Sequence, residues 1–205
     1  MSRPAALPRS LLVAALFLTL LPAPSRADGR FDALRAQAEP LDSLPAFAAR
    51  YVGSCRDPGE RAACEQNVRA ARKAMDGRLY ATVISERAGE LLKVERRGAG
   101  FRFLLTPFLD ADGLALTHGA PRLDARGRPT IGYLVIDSRP GVDEATVEAA
   151  LRTGRIELEI LFRPEAAFRL SRRGADRSYQ GVRARFAAVR LVDGRTGTEI
   201  AVKFP

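Results

Sequence analysis

His118 is the only histidine in the chain, and an imidazole that titrates near neutral pH is the usual proton carrier of a hydrolase. It lies in Leu116-Thr117-His118-Gly119-Ala120-Pro121. A catalytic reading would enlist Thr106, Thr117 or Ser138 as nucleophile and Asp110, Asp112 or Asp124 to orient the ring. The spacing that would support it is missing: there is no G-x-S-x-G elbow, and no serine sits in a recognisable nucleophile turn. The expectation is a loop histidine satisfied by backbone groups, with a small periplasmic hydrolase using His118 as the alternative.

Asp110-Ala111-Asp112-Gly113 looks like half a calcium loop. Aligned on the glycine, the first ligand position falls on Phe108 and the last on Gly119, where an EF-hand needs carboxylates. An aspartate-rich turn between strands accounts for the segment without a metal. Cys55 and Cys64, the only cysteines, cannot make a zinc site without histidines nearby, and their spacing is not that of a C-x-x-C redox pair. No phosphate loop or dinucleotide fingerprint occurs, and the carboxylates form no obvious glycosidase pair. Neither a cofactor nor a metal is therefore expected.

Arg169, Arg172, Arg173 and Arg177 cluster around Gly174 with Phe168 and Tyr179. Guanidinium forks and an aromatic face suit an anionic ligand, so this segment is a candidate anion-binding loop; a solvated hairpin tip is the plainer alternative. Glu157 and Glu159 on one strand and Arg183 and Arg185 on another are expected to pair across strands, with no ligand involved.

These residues must be held by a fold whose elements change character at Leu79. Before it, three helical segments are predicted. The first runs from Phe31 to about Ala38 and stops at Pro40. The second carries Leu44, Phe47, Ala48 and Tyr51 at helical spacing and ends at Gly53. The third begins at Asp57, with Pro58 at its first position and Glu60 as a capping-box partner; Cys64, Val68, Ala71 and Met75 make its apolar stripe. A Cys55–Cys64 disulfide closing this connection would pin a helical hairpin and contribute about 2–3 kcal/mol.

After Leu79, strands are predicted over Leu79–Ile84, Leu91–Glu95, Phe101–Leu105, Ile131–Ile136, Ile156–Phe162, Val182–Leu191 and Thr198–Phe204. Ile156, Leu158, Ile160 and Phe162 mark one buried face, with a more polar face opposite. The apolar phase slips between Phe186 and Val189, which predicts a β-bulge at Ala187-Ala188. Asp193-Gly194 opens a short hairpin loop, and a helix over about Asp143–Arg152 interrupts the strands once. The fold expected is α+β, with an N-terminal helical hairpin packed on a mostly antiparallel β-sheet.

The N-terminus sets the compartment. Arg3 and Arg9 precede an apolar run from Leu11 to Leu21, broken by Pro22 and Pro24 and followed by Ser25-Arg26-Ala27. This reads as an export signal, and the run is about half the length a membrane span needs. Residues 1–27 are expected to be removed, leaving 28–205 as one exported α+β domain with no span. The leader holds Arg3, Arg9 and Arg26 and no acid, so cleavage lowers the formal charge from +9 to about +6. Only Lys73, Lys93 and Lys203 are lysines, so the excess is arginine, a residue suited to carboxylate and phosphate. Export disfavours nucleic acid as a partner and permits the disulfide. The function expected is a soluble, non-catalytic binding or assembly module, periplasmic or secreted, whose partner is an envelope protein or an anionic envelope component; an anion-binding module using Arg169–Arg177 is a further alternative. Intact-mass measurement on an envelope fraction is expected to find a chain beginning at Asp28, and a species retaining Met1 to Ala27 would refute this.

Overall fold

The computed structural model describes residues 29–55, 57–85, 88–98, 100–111, 113–171 and 178–205. Residues 1–27, expected as an export signal, and Asp112, Arg172, Arg173 and Arg177 lie outside the described residues. In chain order the elements are α1 (Gly29–Arg35), β1 (Glu39–Pro40), α2 (Leu44–Val52), α3 (Arg61–Met75), β2 (Tyr80–Ile84), a 3-10 turn at Ala88–Leu91, β3 (Leu92–Arg97), β4 (Gly100–Leu105), β5 (Phe108–Ala111), β6 (Leu114–His118), β7 (Arg122–Leu123), β8 (Pro129–Thr130), β9 (Leu134–Asp137), α4 (Glu144–Arg152), β10 (Ile156–Ser171), β11 (Ser178–Asp193) and β12 (Glu199–Lys203). The chain is α+β, with helices and mixed sheets.

β10 and β11 are sixteen residues each and pair antiparallel from Ile156↔Asp193 to Ser171↔Ser178. The sequence pattern places a loop where these strands in fact continue. The register passes from Leu161↔Ala188 to Phe162↔Phe186, so Ala187 is the extra residue of a bulge, where the slip in apolar phase predicts one. A second irregularity leaves Glu165 unpaired between Pro164↔Ala184 and Ala166↔Arg183. Around this pair the large sheet runs β1-β2-β10-β11-β6-β5, with β12 also paired to β11. Two pairings are parallel, β1 with β2 and β6 with β11. Gly181 permits the second, because a Cβ there would collide with the Ala115 backbone.

A smaller antiparallel sheet, β3-β4-β9, joins the first through a bridge between Ser138 and Ala201. Its Phe103, Leu105 and Ile136 meet Leu158, Ile160, Phe162, Val189 and Leu191 in the main core. α2 closes that core with Phe47, Ala48 and Tyr51; the Phe47 ring stands edge-on to Phe162 at 5.4 Å. α4 adds Val147 and Ala150. Full burial of one such aliphatic or aromatic side chain contributes about 1.5–3 kcal/mol.

α2 begins at Ser43, whose hydroxyl accepts from the Ala46 N–H, and ends at Gly53 with φ +72°. Gly53 also makes room for α3: a Cβ there would lie 2.4 Å from a Val68 methyl. Arg72 of α3 donates from Nε to the Tyr51 carbonyl and from Nη2 to that of Val52, each at 2.7 Å, satisfying carbonyls at the end of α2. The Tyr51 hydroxyl donates to Asp76 at 2.5 Å. Cys55 and Cys64 are joined, with Cα atoms 5.7 Å apart. The start of α3 differs from the sequence expectation. Asp57 accepts from the Gly59 N–H in a local turn, Glu60 makes no side-chain cap, and the helix opens only at Arg61.

Other expectations are corrected too. Ile131–Tyr133 is a connection, with strand pairing only at Pro129–Thr130 and from Leu134. β5 and β6 are strands that the sequence pattern did not separate; Asp110 and Ala111, expected in a turn, pair with Ala115 and Leu114 in the ladder between them. The second face of β10 is not polar along its length, because α1 covers it: Phe31 packs with Leu79, Leu161 and Ala188. Arg30 lies over the Phe204 ring at 4.2 Å, so the entry to α1 meets the exit from β12.

Beneath α1 sits a buried ion network. Arg190 donates to Glu159 at 2.6 and 2.9 Å and to Asp32 at 2.8 Å, with its Cζ 4.0 Å above the Phe31 ring. The side chains of Arg190 and Glu159 are only 12% and 11% exposed. Removing one partner strands the other in a poorly solvated site. Arg190→Met is therefore expected to cost about 3–5 kcal/mol in urea unfolding, and Glu159→Leu added to it to restore much of that loss. A single variant within about 1 kcal/mol of the parent would show the network to be dispensable.

Candidate functional site

His118 ends β6, and its ring packs against Phe186 with centroids 5.1 Å apart. Its Nδ1 accepts from the Phe186 N–H at 3.0 Å. The histidine is thus satisfied by a backbone group, at a strand end rather than within a loop. Desolvation lowers its pKa; Glu165 raises it and Arg185 lowers it further. Two of the three hydroxyls named with it are engaged elsewhere. Thr117 is fully buried and donates to the Gly119 carbonyl, and the Ser138 hydroxyl accepts from the Phe101 N–H. The Thr106 N–H donates to the Leu91 carbonyl. Asp124 accepts from the Arg126 and Arg128 N–H groups, and Arg128 Nε lies 3.0 Å from it. Those bonds, the Arg128 backbone first, hold its carboxyl below the ordinary aspartate range. Asp110 stands opposite Ala115 in the β5–β6 ladder.

The cross-strand charges pair differently from the sequence expectation. Glu157 lies opposite Val192 and Glu159 opposite Arg190, whereas Arg183 and Arg185 both approach Glu165, at 3.6 and 3.1 Å. The expectation failed because the hairpin turns far beyond Phe162. Glu165, the bulged residue, reaches both arginines at once.

The part of the arginine cluster that is described borders a cleft of about 590 Å³ between the disulfide loop and the stem of the β10–β11 hairpin. Its walls are Gly53, Ser54 and Cys55 on one side and Arg169, Ser171, Ser178 and Gln180 on the other. Arg169 is exposed and donates to the Gln180 side-chain oxygen at 3.1 Å, which steadies the guanidinium over the opening. A guanidinium, serine hydroxyls and a side-chain amide make a donor-rich wall suited to carboxylate or phosphate. Tyr179 takes no part in it and stands edge-on to Phe108 at 6.0 Å. Sequence reasoning found Arg169 by composition but missed the cleft, because nothing in the residue pattern brings Cys55 beside Ser171.

A wider groove between α2 and α3, about 670 Å³, is lined largely by small residues, among them Ala49, Gly53, Ala63 and Ala71. Among the described residues, no three His, Cys, Asp or Glu side chains converge as a metal site would require, and no helix is long and apolar enough to cross a membrane.

The His118 geometry carries a pH prediction. Because burial depresses its pKa in the folded chain, the unfolded state binds the proton more readily. The stabilisation from neutral His118 is fully present above the unfolded value near 6.5 and is lost as pH falls through the lower folded value. His118→Ala is expected to cost about 1–3 kcal/mol at pH 8 by leaving the Phe186 N–H without its acceptor. The same substitution should flatten the fall in urea stability between pH 7.5 and 5. An unchanged pH profile in the variant would contradict the assignment.

Residues 9–204 match the model of a family described as Family of unknown function (DUF6066). No curated protein and no solved structure matches the chain. With nearly the whole chain matched, through the last strand, the protein belongs to that DUF6066 family.

Proposed function

We propose that this protein is an exported, non-catalytic binding or assembly module, and that it recognises an anionic component of the cell envelope in the cleft at the stem of the β10–β11 hairpin. The observation that carries the reading is the convergence of Arg169, Ser171, Ser178 and Gln180 with the loop ending at Cys55. In the sequence Arg172 and Arg173 follow Ser171 and Arg177 precedes Ser178, so the segment joining the two strands is rich in positive charge. The leader-like first 27 residues and the disulfide accord with an oxidising compartment, periplasmic or extracellular. The frame we assign to the module is a helical hairpin, α2 and α3, seated on a largely antiparallel sheet. Its disulfide and the Arg72 fork fix one wall of the cleft, and the β10–β11 ladder fixes the other. A rigid pair of walls favours binding by limiting the ordering cost.

Calorimetric titration of the full chain at physiological salt, with polygalacturonate and with phosphatidylglycerol vesicles as probes, tests the reading. At least one probe is expected to bind, and Arg169→Ala to weaken it about five- to tenfold with the thermal midpoint unchanged. Equal affinity in the variant would place the binding surface elsewhere. Failure of every anionic probe to bind would overturn the anionic reading.

A further inference from the structure

We propose that the outer edge of β10, from Pro164 to Ser171, is a strand-addition site for an extended, acidic segment of a partner protein. The inference rests on the anion-binding reading of the adjoining cleft and adds what carries the charge: a polypeptide hydrogen-bonded to the sheet.

β2 pairs with β10 only from Leu158 to Phe162. Beyond Phe162, no described strand lies on that side of β10. The direction of the backbone groups follows from the ladder on the other side. The Ala184 carbonyl accepts from the Gly119 N–H, next to β6. Ala184, and by alternation Val182 and Gln180, therefore aim their backbone groups at β6 and away from β10. Their partners across the ladder are Pro164, Ala167 and Arg169. In an antiparallel ladder, both members of such a pair point outward. The N–H and C=O of Ala167 and Arg169 thus face the open side, with Ser171 next in the same phase.

Natural edges are commonly blunted by proline, charge or a bulge. This one has all three at its lower end: Pro164 offers no outward N–H, and Glu165 is bulged between two arginines. From Ala166 to Ser171 there is no proline or further bulge, and the one charge, Arg169, is of the sign that an acidic partner strand would neutralise, so the edge is left competent to pair with such a strand.

The side chains flanking the edge define the occupant. On one face Arg169 leads into the donor-lined cleft. On the opposite face Phe168 and Leu170 are half-buried. An added strand would present alternate residues to these two environments, acidic to the cleft and apolar to the other face. A second copy of this chain is a poor fit, because its edge carries the same Arg163 and Arg169, and like charges across strands repel.

The test uses the full chain and a blocked hexapeptide, Glu-Val-Glu-Val-Glu-Val, with two control copies N-methylated at alternate residues in either phase. The parent peptide is expected to bind and to protect the Ala167 and Arg169 amides from hydrogen exchange. One N-methylated phase should lose at least about tenfold in affinity. Ala167→Pro removes an outward N–H without touching the ladder and should weaken the parent peptide similarly. If that variant fails to melt cooperatively, exchange and the N-methylated peptides on the wild-type chain decide alone. Equal binding of all three peptides would overturn the backbone pairing. If Arg169→Ala still weakened polygalacturonate, the anion-binding cleft would survive that result. A concentration-dependent dimer abolished by Ala167→Pro would assign the edge to a second copy and overturn the proposal. Binding of phosphatidylglycerol vesicles with no peptide binding would overturn it in favour of a lipid surface.

Discussion

The ladder between β10 and β11 is the interaction on which the rest of the structure depends. β2, and through it β1, attaches to the outer side of β10. On the far side of β11, β6 occupies the upper half and β12 the lower half. The smaller sheet is joined to β12, so it too is placed by this pair. Because a shift by one residue exchanges the two faces of a strand, the bulge at Ala187 is as important as any side chain. It keeps Phe186 and Val189 on the same core face although three positions separate them.

The two faces of this pair are covered by different means. The core face is dry and aromatic-rich, closed by α2, α4 and the small sheet. On the opposite face a short helix brings one phenylalanine and one aspartate, and the aspartate completes a charge network with Arg190 and Glu159. α1 has seven residues, too few to be stable alone in water. Its position therefore derives from Phe31 burial and from the guanidinium that Phe31 covers. Higher up the hairpin this cover stops, and there Arg163, Glu165 and Arg185 are exposed.

The legible parts of the fold were those written in local patterns. The alternation in Ile156–Phe162, the phase slip near Ala187, the helical spacing and Gly53 stop of α2 and the Asp143 start of α4 can all be read from neighbouring residues. What could not be read was long-range. That Glu159 meets Arg190 rather than Arg183 depends on where the hairpin turns, and Arg169–Tyr179 is polar enough to pass for a loop. The Asp57 start for α3 failed for a different reason. Its carboxylate has two backbone choices, and the local turn to Gly59 prevails over the helix cap. At the candidate site, composition pointed to Arg169, while the cleft beside it is a product of tertiary packing. Likewise, nothing around His118 in the sequence names Phe186 as its donor, 68 positions away.

The contact between Arg30 and Phe204 brings the entry and the exit of the described chain together, on the same side of the sheet as Leu161 and Ala188. Ten residues of β10 separate Leu161 from Ser171, a reach of about 33 Å at the usual strand rise. The entry and the exit of the described residues thus meet toward one end of a lever, and the Ser171↔Ser178 pair stands at the other. A carrier protein fused after Phe204 or before Arg30, or a linker joining the two in a circular permutant, would therefore enter far from the Ser171↔Ser178 end of the ladder.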